Sequence, residues 1–341
     1  MSQSLATKYR PSSFDDLCEQ SEIRAILNNQ LKNRDIRNAY LFTGPAGCGK
    51  TTSARIFANE INQGLGSPVE LDAASNNSVD DVREIIQDAK TQSLDSEYKI
   101  YILDEVHSLS NNAWQAMLKL LEEPPAKSVF ILCTTDPQKI PKTILSRVQR
   151  FDFQRISQKG IMLRLHYILG SELAQNKELK WDDYTLEYIA RLADGGMRDA
   201  ITMLDKCLAY SEKLTVENVV KALGVANYDV MFSLTRALTN RDADAVLGIV
   251  NEIYAQGKDL KTFSKTYMTF ILDLCKFDVT RTYDYVQIPA SYDLESNPQD
   301  MFEYCHRLLD LLVKLNERLR WEPSPKSVIE SMLLLECFRE D

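Results

Sequence analysis

The sequence predicts an α/β protein with a parallel-sheet domain over residues 1–152 and two helical domains over 153–211 and 212–341. Short apolar runs alternate with amphipathic helical patterns in the first 152 residues, which is typical of a parallel sheet. Strand patterns disappear after Gln154, and apolar residues then recur at helical spacing. The length of 341 residues suits two or three domains.

The first segment of the chain, Leu5–Pro11, has no helical periodicity, so we expect an extended strip. Pro11 fixes the backbone φ, and Tyr9 offers a flat aromatic face, with Arg10 between them. Such a strip can lie over the base of a nucleotide, although a merely surface-packed N-terminus explains the same residues equally well. An amphipathic helix then begins at Ser21.

A glycine-rich loop follows the first apolar run, Ala39–Thr43, and matches the phosphate-binding pattern G-x-x-x-x-G-K-[ST]. Glycines let phosphates approach bare backbone N–H groups, Lys50 brings positive charge to the β and γ phosphates, and Thr51 offers a hydroxyl to Mg²⁺. A chance match is the alternative, but a strand before the loop and a helix after it favour a nucleotide site. The predicted binding residues of the loop are Gly44, Pro45, Ala46, Gly47, Cys48, Gly49, Lys50, Thr51 and Thr52.

Three more predicted strands follow, and two of them end in polar residues. The first of these strands is predicted over residues 68–73. The second ends in Asp104 and Glu105, at the C-terminal edge of the predicted parallel sheet, where such sheets bind ligands. We expect Asp104 to hold Mg²⁺, directly or through water, and Glu105 to polarise the water that attacks the γ phosphate. The next run ends in Thr134 and Thr135, either of which could orient that water, with ordinary strand-end polarity as the alternative. Together these features favour a nucleotide hydrolase over a passive binder.

Two polar runs predict helix N-termini between the strands. Ser75–Ser78 precedes one helix and Asn111–Asn112 precedes another. The second helix carries an apolar stripe that we interpret as core rather than as a ligand face, namely Trp114, Met117, Leu118 and Leu121.

Two arginines stand out on predicted helices. Arg147 lies near the end of a short helix that begins at Pro141. Arg198 lies in the first turn of the helix that follows the turn Asp194–Gly196. A cation is electrostatically misplaced in a first turn, which points to an anion at the same site; a surface salt bridge is the alternative.

The remainder of the chain predicts a helical bundle used for assembly. Five long helices are expected, over residues 227–239, 241–255, 259–279, 298–320 and 324–340, with an irregular loop over 283–298. This region shows no catalytic constellation, and His107, His166 and His306 are isolated in the sequence, without metal-ligand spacing.

Composition narrows the functional classes. The formal net charge of −9 argues against coating of nucleic acid by bulk charge, but leaves a local site for a phosphate backbone open. Seven scattered cysteines without a C-x-x-C pair indicate neither a disulfide framework nor a zinc site. The sequence lacks a run of about 18 apolar residues and a secretion signal, so we expect a reduced, cytoplasmic protein with no membrane partner.

These motifs together resemble the bacterial DNA polymerase III gamma/tau family, the ATPases of the replicative clamp loader. The resemblance is close over the first two domains and looser over the third. LLEEPP followed by TTDPQK looks more like this family than like the related replication factor C subunits. The matching segments are KYRP at 8–11, GPAGCGKTT at 44–52, LDEVH at 103–107, LLEEPP at 120–125, TTDPQK at 134–139, SR at 146–147 and GGMRDA at 195–200.

The resemblance implies an AAA+ ATPase domain, a helical lid and an all-α collar in a five-membered ring. It implies that Thr135 or its neighbour is sensor 1 and that Arg198 contacts the γ phosphate in cis. Arg147 would be an arginine finger that reaches the site of the neighbouring subunit. The helix N-termini at 75–78 and 110–112 would face a DNA backbone, or else be ordinary caps.

The implied cofactors are ATP and Mg²⁺. The implied partners are a DNA sliding clamp, delta- and delta-prime-type subunits, further copies of this chain in a pentameric ring, and primer–template DNA. The family's zinc-binding insert of four cysteines is replaced here by Asn62–Ser67, so no zinc is predicted, and its Ser-Arg-Cys motif reads Ser146–Val148. The chain also ends after the predicted collar, so we expect a shortened gamma form.

The expected function is therefore that of a clamp-loader motor. ATP binding would open the clamp and grip primer–template DNA, and hydrolysis would release both. Two alternatives stay open: another AAA+ DNA machine, such as a branch-migration helicase, and a structural ring subunit that binds nucleotide without hydrolysing it.

Overall fold

The chain divides into two compact units, Met1–Leu214 and Thr215–Asp341. The computed structural model describes residues 3–91, 93, 95–174, 178–224, 228–288 and 292–339. The first unit contains a parallel sheet with helices around it, and the second unit is helical. The finer three-domain division at 152/153 and 211/212 stays a prediction.

The described part of the first unit is built on a five-stranded sheet in the order β2-β3-β4-β1-β5. All neighbouring strands are parallel, so their C-terminal ends lie at one edge. The register places Thr43 opposite Thr134 on one side and Asp152 on the other. The strands are β1 Ala39–Thr43, β2 Val69–Asp72, β3 Lys99–Asp104, β4 Ser128–Thr134 and β5 Gln149–Asp152.

Helices cover both faces of this sheet, which explains why β1 and β4 are buried at every position. Tyr40 and Phe42 point into one apolar cluster, and Leu41 between them points into the other, as strand alternation requires. The second cluster includes the predicted core stripe, since Trp114 and Met117 are both buried there. The helices of the first unit are α1 Leu5–Lys8, α2 Ser21–Asn33, α3 Lys50–Ile61, α4 Val79–Ala89, α5 Asn111–Glu122, α6 Lys142–Leu145, α7 Gln158–Leu173, α8 Asp183–Leu192 and α9 Met197–Tyr210.

Two predictions about local structure in this unit are corrected. Leu5–Lys8 forms a single helical turn rather than an extended strip. The side chain of Leu5 is buried, and its N–H donates to Asp205 at 3.2 Å. These two contacts hold the turn against α9. The helix α5 is capped by Ser110, which lies in the predicted run 110–112, whereas the pair Asn111–Asn112 already belongs to the helix. Ser78 caps α4 as predicted, with a reciprocal hydrogen bond from its N–H to Asp81.

The second unit contains six α-helices within the described residues, one more than predicted, and a 3-10 turn at Tyr283–Tyr285 within the predicted loop. The additional helix is α10, Val216–Leu223, which is only eight residues long and is capped by Thr215. The predicted helix ends at Asn227 and Glu340, and residues 289–291 of the predicted loop, lie outside the described residues. The other helices are α11 Tyr228–Thr239, α12 Ala243–Ala255, α13 Leu260–Thr280, α14 Gln299–Leu319 and α15 Pro325–Cys337. In the described part of the chain, every helix is too short or too polar to cross a membrane.

Candidate active site

The glycine-rich loop lies at the C-terminal edge of the sheet, between β1 and α3. Gly44, Gly47 and Gly49 have φ values of 144°, 70° and 101°, which side chains rarely adopt. A Cβ on Gly47 would lie 2.9 Å from the Cα of Gly196, and the Gly47 carbonyl accepts the N–H of Met197 at 3.0 Å. The loop therefore packs directly on the N-terminus of α9, the helix that carries Arg198.

Lys50, the first residue of α3, is held beneath this loop. Its side chain is almost fully buried, with the residue 6% exposed. Its Nζ donates to the carbonyl oxygens of Gly44 at 2.8 Å and Pro45 at 2.7 Å. A buried ammonium requires such partners, so the loop fixes the position of this charge.

Thr51 and Asp104, the two predicted metal ligands, are brought together by the fold. The Thr51 Oγ1 donates to Asp104 Oδ2 at 2.6 Å, and the other carboxylate oxygen accepts the N–H of Glu105 at 3.0 Å. A hydroxyl beside a carboxylate fits Mg²⁺, which prefers oxygen ligands and takes few from protein when phosphates supply the rest. Among the described residues, no group of three or more His, Cys, Asp or Glu is placed to hold a metal ion by itself.

Glu105 meets the end of β4, as the strand register requires. Its Oε2 accepts the Thr135 N–H at 3.3 Å and the Thr135 hydroxyl at 3.0 Å, and lies 3.2 Å from His107 Nδ1. The same His107 nitrogen lies 3.1 Å from the Thr134 hydroxyl. Glu105 itself has a φ of 49°, a left-handed backbone conformation that residues with a side chain adopt less often than glycine does.

A cavity of about 300 Å³ opens beside the loop and collects most of the predicted site. Gly44 and Pro45 lie behind it, in contact with Lys50, and Ala46 is an exposed loop residue. The predicted residues that line the cavity are Tyr9, Arg10, Pro11, Gly47, Cys48, Gly49, Lys50, Thr51, Thr52, Asp104 and Arg198.

The N-terminal segment reaches this cavity and is fastened to the lid helix α7. The hydroxyl of Tyr9 and the ammonium of Lys8 both donate to Glu172 Oε1 at 2.7 Å. Arg164 donates to the Tyr9 carbonyl at 2.7 Å, and the ring of Tyr167 meets that of Tyr9 edge-on at 6.3 Å. Burial raises the pKa of Glu172, but the hydrogen bonds from Lys8 and Tyr9 outweigh burial and leave that pKa below its ordinary value.

Three charged residues of the cavity were not predicted from sequence: Asp16, Arg55 and Arg164. The Arg164 guanidinium also lies 5.0 Å from the centre of the Tyr167 ring, and Arg55 pairs with Glu70 at 2.7 Å. Their sequence neighbourhood carries no signal, because packing alone decides that the turn with Asp16 and the helix sides with Arg55 and Arg164 face the cavity. The cavity is lined by five cationic side chains and by only two carboxylates, Asp16 and Asp104, although the whole chain has a net charge of −9. The cations are Arg10, Lys50, Arg55, Arg164 and Arg198.

Arg147 is not part of this cavity. It lies two residues before β5, at the N-terminal edge of the sheet, whereas the glycine-rich loop follows the C-terminal end of the neighbouring parallel strand. Its Nη2 donates to Glu122 Oε1 at 2.7 Å, and its Nη1 donates to the Thr143 carbonyl at 2.7 Å and the Ser146 hydroxyl at 3.1 Å. A second cavity opens here, lined among others by Arg147, Glu122 and Arg37.

Comparison with known proteins places this architecture in a family. Three family models match: DNA polymerase III delta subunit over residues 67–157, clamp loader subunit ATPase lid domain over 161–213, and subunits gamma and tau domain III over 214–339. The DNA polymerase III subunit gamma of Buchnera aphidicola (subspecies Acyrthosiphon pisum) is 31% identical over 97% of this chain and 98% of its own. The chain belongs to the DNA polymerase III gamma and tau family.

Other members of the gamma and tau family are longer than this chain. DNA polymerase III subunit tau of Bacillus subtilis is 34% identical over 98% of this chain, which spans 63% of that relative. The tau subunit of Salmonella typhimurium is 34% identical over 75% of this chain, and the match spans 42% of that relative. The predicted resemblance is confirmed.

Solved structures confirm the predicted AAA+ fold. The RuvB Holliday junction branch migration motor of Thermotoga maritima matches with a TM-score of 0.52 and 18% identity, over 67% of this chain and 79% of that one. Identity this low supports the fold alone. The predicted fold class, a parallel-sheet domain followed by helical lid and gamma/tau domain III regions, is confirmed by this likeness together with the two helical family models.

Proposed function

We propose that this chain is an ATPase subunit of a DNA sliding-clamp loader, in which ATP binding drives clamp opening and gripping of primer–template DNA and hydrolysis releases the loaded clamp. The observation that carries the proposal is the placement of functional groups on opposite edges of one sheet. Lys50, Thr51, Asp104 and Arg198 line a cavity at one edge, and Arg147 lies at the other. Such a chain builds most of one active site and offers a cation to another.

ATP enters the cavity with its phosphates along the glycine-rich loop. Lys50 exchanges the carbonyls of Gly44 and Pro45 for phosphate oxygens, and Arg198 approaches the γ phosphate from the lid. Tyr9 and its neighbours in the N-terminal segment contact the base. Thr51 and Asp104 would hold Mg²⁺, which neutralises charge that develops on the phosphates.

Hydrolysis requires a base and a second cation. Glu105 takes the proton of the attacking water, and the hydrogen bonds from Thr135 fix the orientation of this carboxylate. Arg147 of the adjacent copy stabilises the transition state, because the sheet places it out of reach of its own chain's loop. The proposed partners are the sliding clamp, delta- and delta-prime-type subunits, copies of this chain in a pentameric ring, and primer–template DNA.

Mixing two inactive variants tests this arrangement. The Lys50→Ala chain has an inactive site of its own but keeps the arginine finger, Arg147. The Arg147→Ala chain keeps its own site intact but lacks the arginine finger. We expect each variant alone to release phosphate about 10²-fold more slowly than wild type in assemblies with clamp, partner subunits and primed DNA. A mixture should recover part of the rate, and a mixture as inactive as its components would refute the shared site. A wild-type rate that clamp and primed DNA fail to stimulate would refute the clamp-loader function.

A branch-migration motor is the second candidate, because a RuvB motor of that description shares the fold. A strand-displacement assay separates the two functions, since a clamp loader should leave duplex DNA intact. The non-hydrolysing alternative is tested by phosphate release from the wild-type assembly itself. Turnover that disappears in Lys50→Ala would exclude it.

A further inference from the structure

We propose that Glu122 is a positioning residue for Arg147, so that the LLEEPP segment fixes the arginine that this chain offers to its neighbour. This inference rests on the proposed function and names what orients the finger. Glu122 itself touches no nucleotide; it acts through the guanidinium. The proposal also gives a role to the segment 120–125, which contributes no residue to the cavity at the glycine-rich loop.

The contacts of Arg147 hold its guanidinium from two directions. The carbonyl of Thr143 and the hydroxyl of Ser146 accept from Nη1, and the Glu122 carboxylate accepts from Nη2. A guanidinium carries five N–H donors, so these three contacts leave Nε and one position on Nη2 for a phosphate oxygen. Without Glu122, only the short helix α6 and Ser146 would restrain a long and flexible side chain.

The position of Glu122 is unfavourable for its own helix. It is the last residue of α5, where the helix dipole disfavours a carboxylate. The ion pair with Arg147 is partly exposed, with side-chain exposures of 34% for Arg147 and 43% for Glu122. Exposed pairs contribute little to stability, so fixing an orientation explains this carboxylate better than stabilising the fold does.

The helix α5 gives Glu122 a rigid support. Leu120 and Leu121 bury its last turn in the core, and the prolines at 124 and 125 end it. The helix begins six residues after Glu105 and extends about 18 Å at 1.5 Å per residue. The helix therefore holds Glu122 at the end opposite to the segment that leads from Glu105 into α5.

The mixing experiment can isolate this effect. A Lys50→Ala chain serves as the finger donor and an Arg147→Ala chain as the hydrolysing acceptor, in full assemblies with clamp, partner subunits and primed DNA. Glu122→Gln is added to the donor only. Since the donor cannot hydrolyse ATP and the acceptor's pocket is unchanged, we expect kcat to fall about tenfold with KM for ATP unchanged. Glu122→Asp should restore part of kcat because it keeps the charge.

Glu123→Gln in the donor is the matched control, since Glu123 is the neighbouring exposed carboxylate and should leave kcat unchanged. Equal kcat values for the Glu122→Gln and Glu123→Gln donors, or a faster Glu122→Gln assembly, would overturn the proposal. If native mass spectrometry showed that the Glu122→Gln donor does not enter the assemblies, Glu122 would act in assembly, and the positioning proposal would be overturned equally. Failure of the parent donor and acceptor to complement would instead refute the shared site.

Discussion

The two edges of the sheet hold their cations in opposite ways. At the C-terminal edge, Lys50 is 6% exposed and is enclosed by backbone carbonyls of a loop whose glycines adopt positive φ. At the N-terminal edge, the Arg147 side chain is 34% exposed and is held by a carboxylate beside a four-residue helix. An enclosed charge suits a ligand that enters the chain, and an exposed, oriented charge suits presentation to another molecule.

The largest effect is expected from a substitution that removes only the proposed base at the C-terminal edge of the sheet. Glu105→Gln keeps the size of the side chain and an oxygen for the Thr135 contacts, but it removes the proton acceptor. We expect turnover by the assembly to fall about 10³-fold. Nucleotide affinity, measured by calorimetry, should stay within about twofold of wild type. Glu97→Gln, an exposed carboxylate paired with Arg34, is the control, and unchanged phosphate release in Glu105→Gln would refute the base assignment.

The next largest effect is expected from a substitution of the arginine at the N-terminal edge of the sheet. Arg147→Lys keeps the charge but loses the planar group that contacts Glu122, Thr143 and Ser146 at once. We expect turnover by the assembly to fall about 10²-fold, while the isolated chain binds ATP as wild type does. Arg150→Lys, an exposed residue paired with Asp152, should change neither quantity. Weaker ATP binding by isolated Arg147→Lys would place this arginine in its own chain's site and remove the distinction between the edges.

The two edges also differed in how far the sequence predicted them. The sequence predicted the position of the loop between β1 and α3, because its glycines, Lys50 and Thr51 follow a local spacing that can be recognised; the role of these residues in phosphate binding stays a prediction. The pairing of Glu122 with Arg147 joins residues 25 positions apart, and no local pattern distinguishes Glu122 from Glu123 as the partner. Contacts across the fold, rather than motifs, build that edge.

Short elements were missed for a related physical reason. The strand β5 has a single apolar residue, Phe151, and relies on hydrogen bonding to β1 for its existence. The four-residue helix α1 depends on packing against α9, and α10 has only two turns. In the same way, Arg164 lines the cavity beside the glycine-rich loop because of the packing of α7. Elements this short carry too little periodicity to be predicted before their neighbours are known.

A smaller effect is expected where the glycine-rich loop packs against the N-terminus of α9. Gly47→Ala meets the backbone of Gly196, whereas Gly64→Ala has a similar φ of 80° with no neighbour within 4 Å. We expect Gly64→Ala to cost about 1 kcal/mol of unfolding free energy for its backbone conformation, and Gly47→Ala to cost about 1–3 kcal/mol more for the clash. Gly47→Ala should also weaken ATP binding about tenfold. Equal costs in urea unfolding would show that the loop and α9 separate easily.

A still smaller effect sharpens the role of the N-terminal segment. Glu172→Gln weakens the charged contacts that fasten Lys8 and Tyr9 to α7, while the phosphate loop stays intact. We expect ATP binding to weaken about fivefold, since one charged hydrogen-bond network contributes about 1 kcal/mol. Binding of inorganic tripolyphosphate should stay unchanged. Glu187→Gln, on the lid helix α8, is the control. Equal weakening toward both ligands would mean that the segment supports the phosphates rather than the base.

The smallest effect is a dependence of stability on pH at the same carboxylate. The pKa of Glu172 lies below its ordinary value, because hydrogen bonds from Lys8 and Tyr9 outweigh the opposing effect of burial. A lowered pKa stabilises the fold above the ordinary value of about 4.3, and this stabilisation is lost as the pH falls through the lowered pKa. The unfolding free energies of wild type and Glu172→Gln should therefore differ by a constant amount, below about 1 kcal/mol, from pH 8 to about pH 5, and should converge at lower pH. A difference that grows on acidification would show that Glu172 is protonated when it contacts Tyr9.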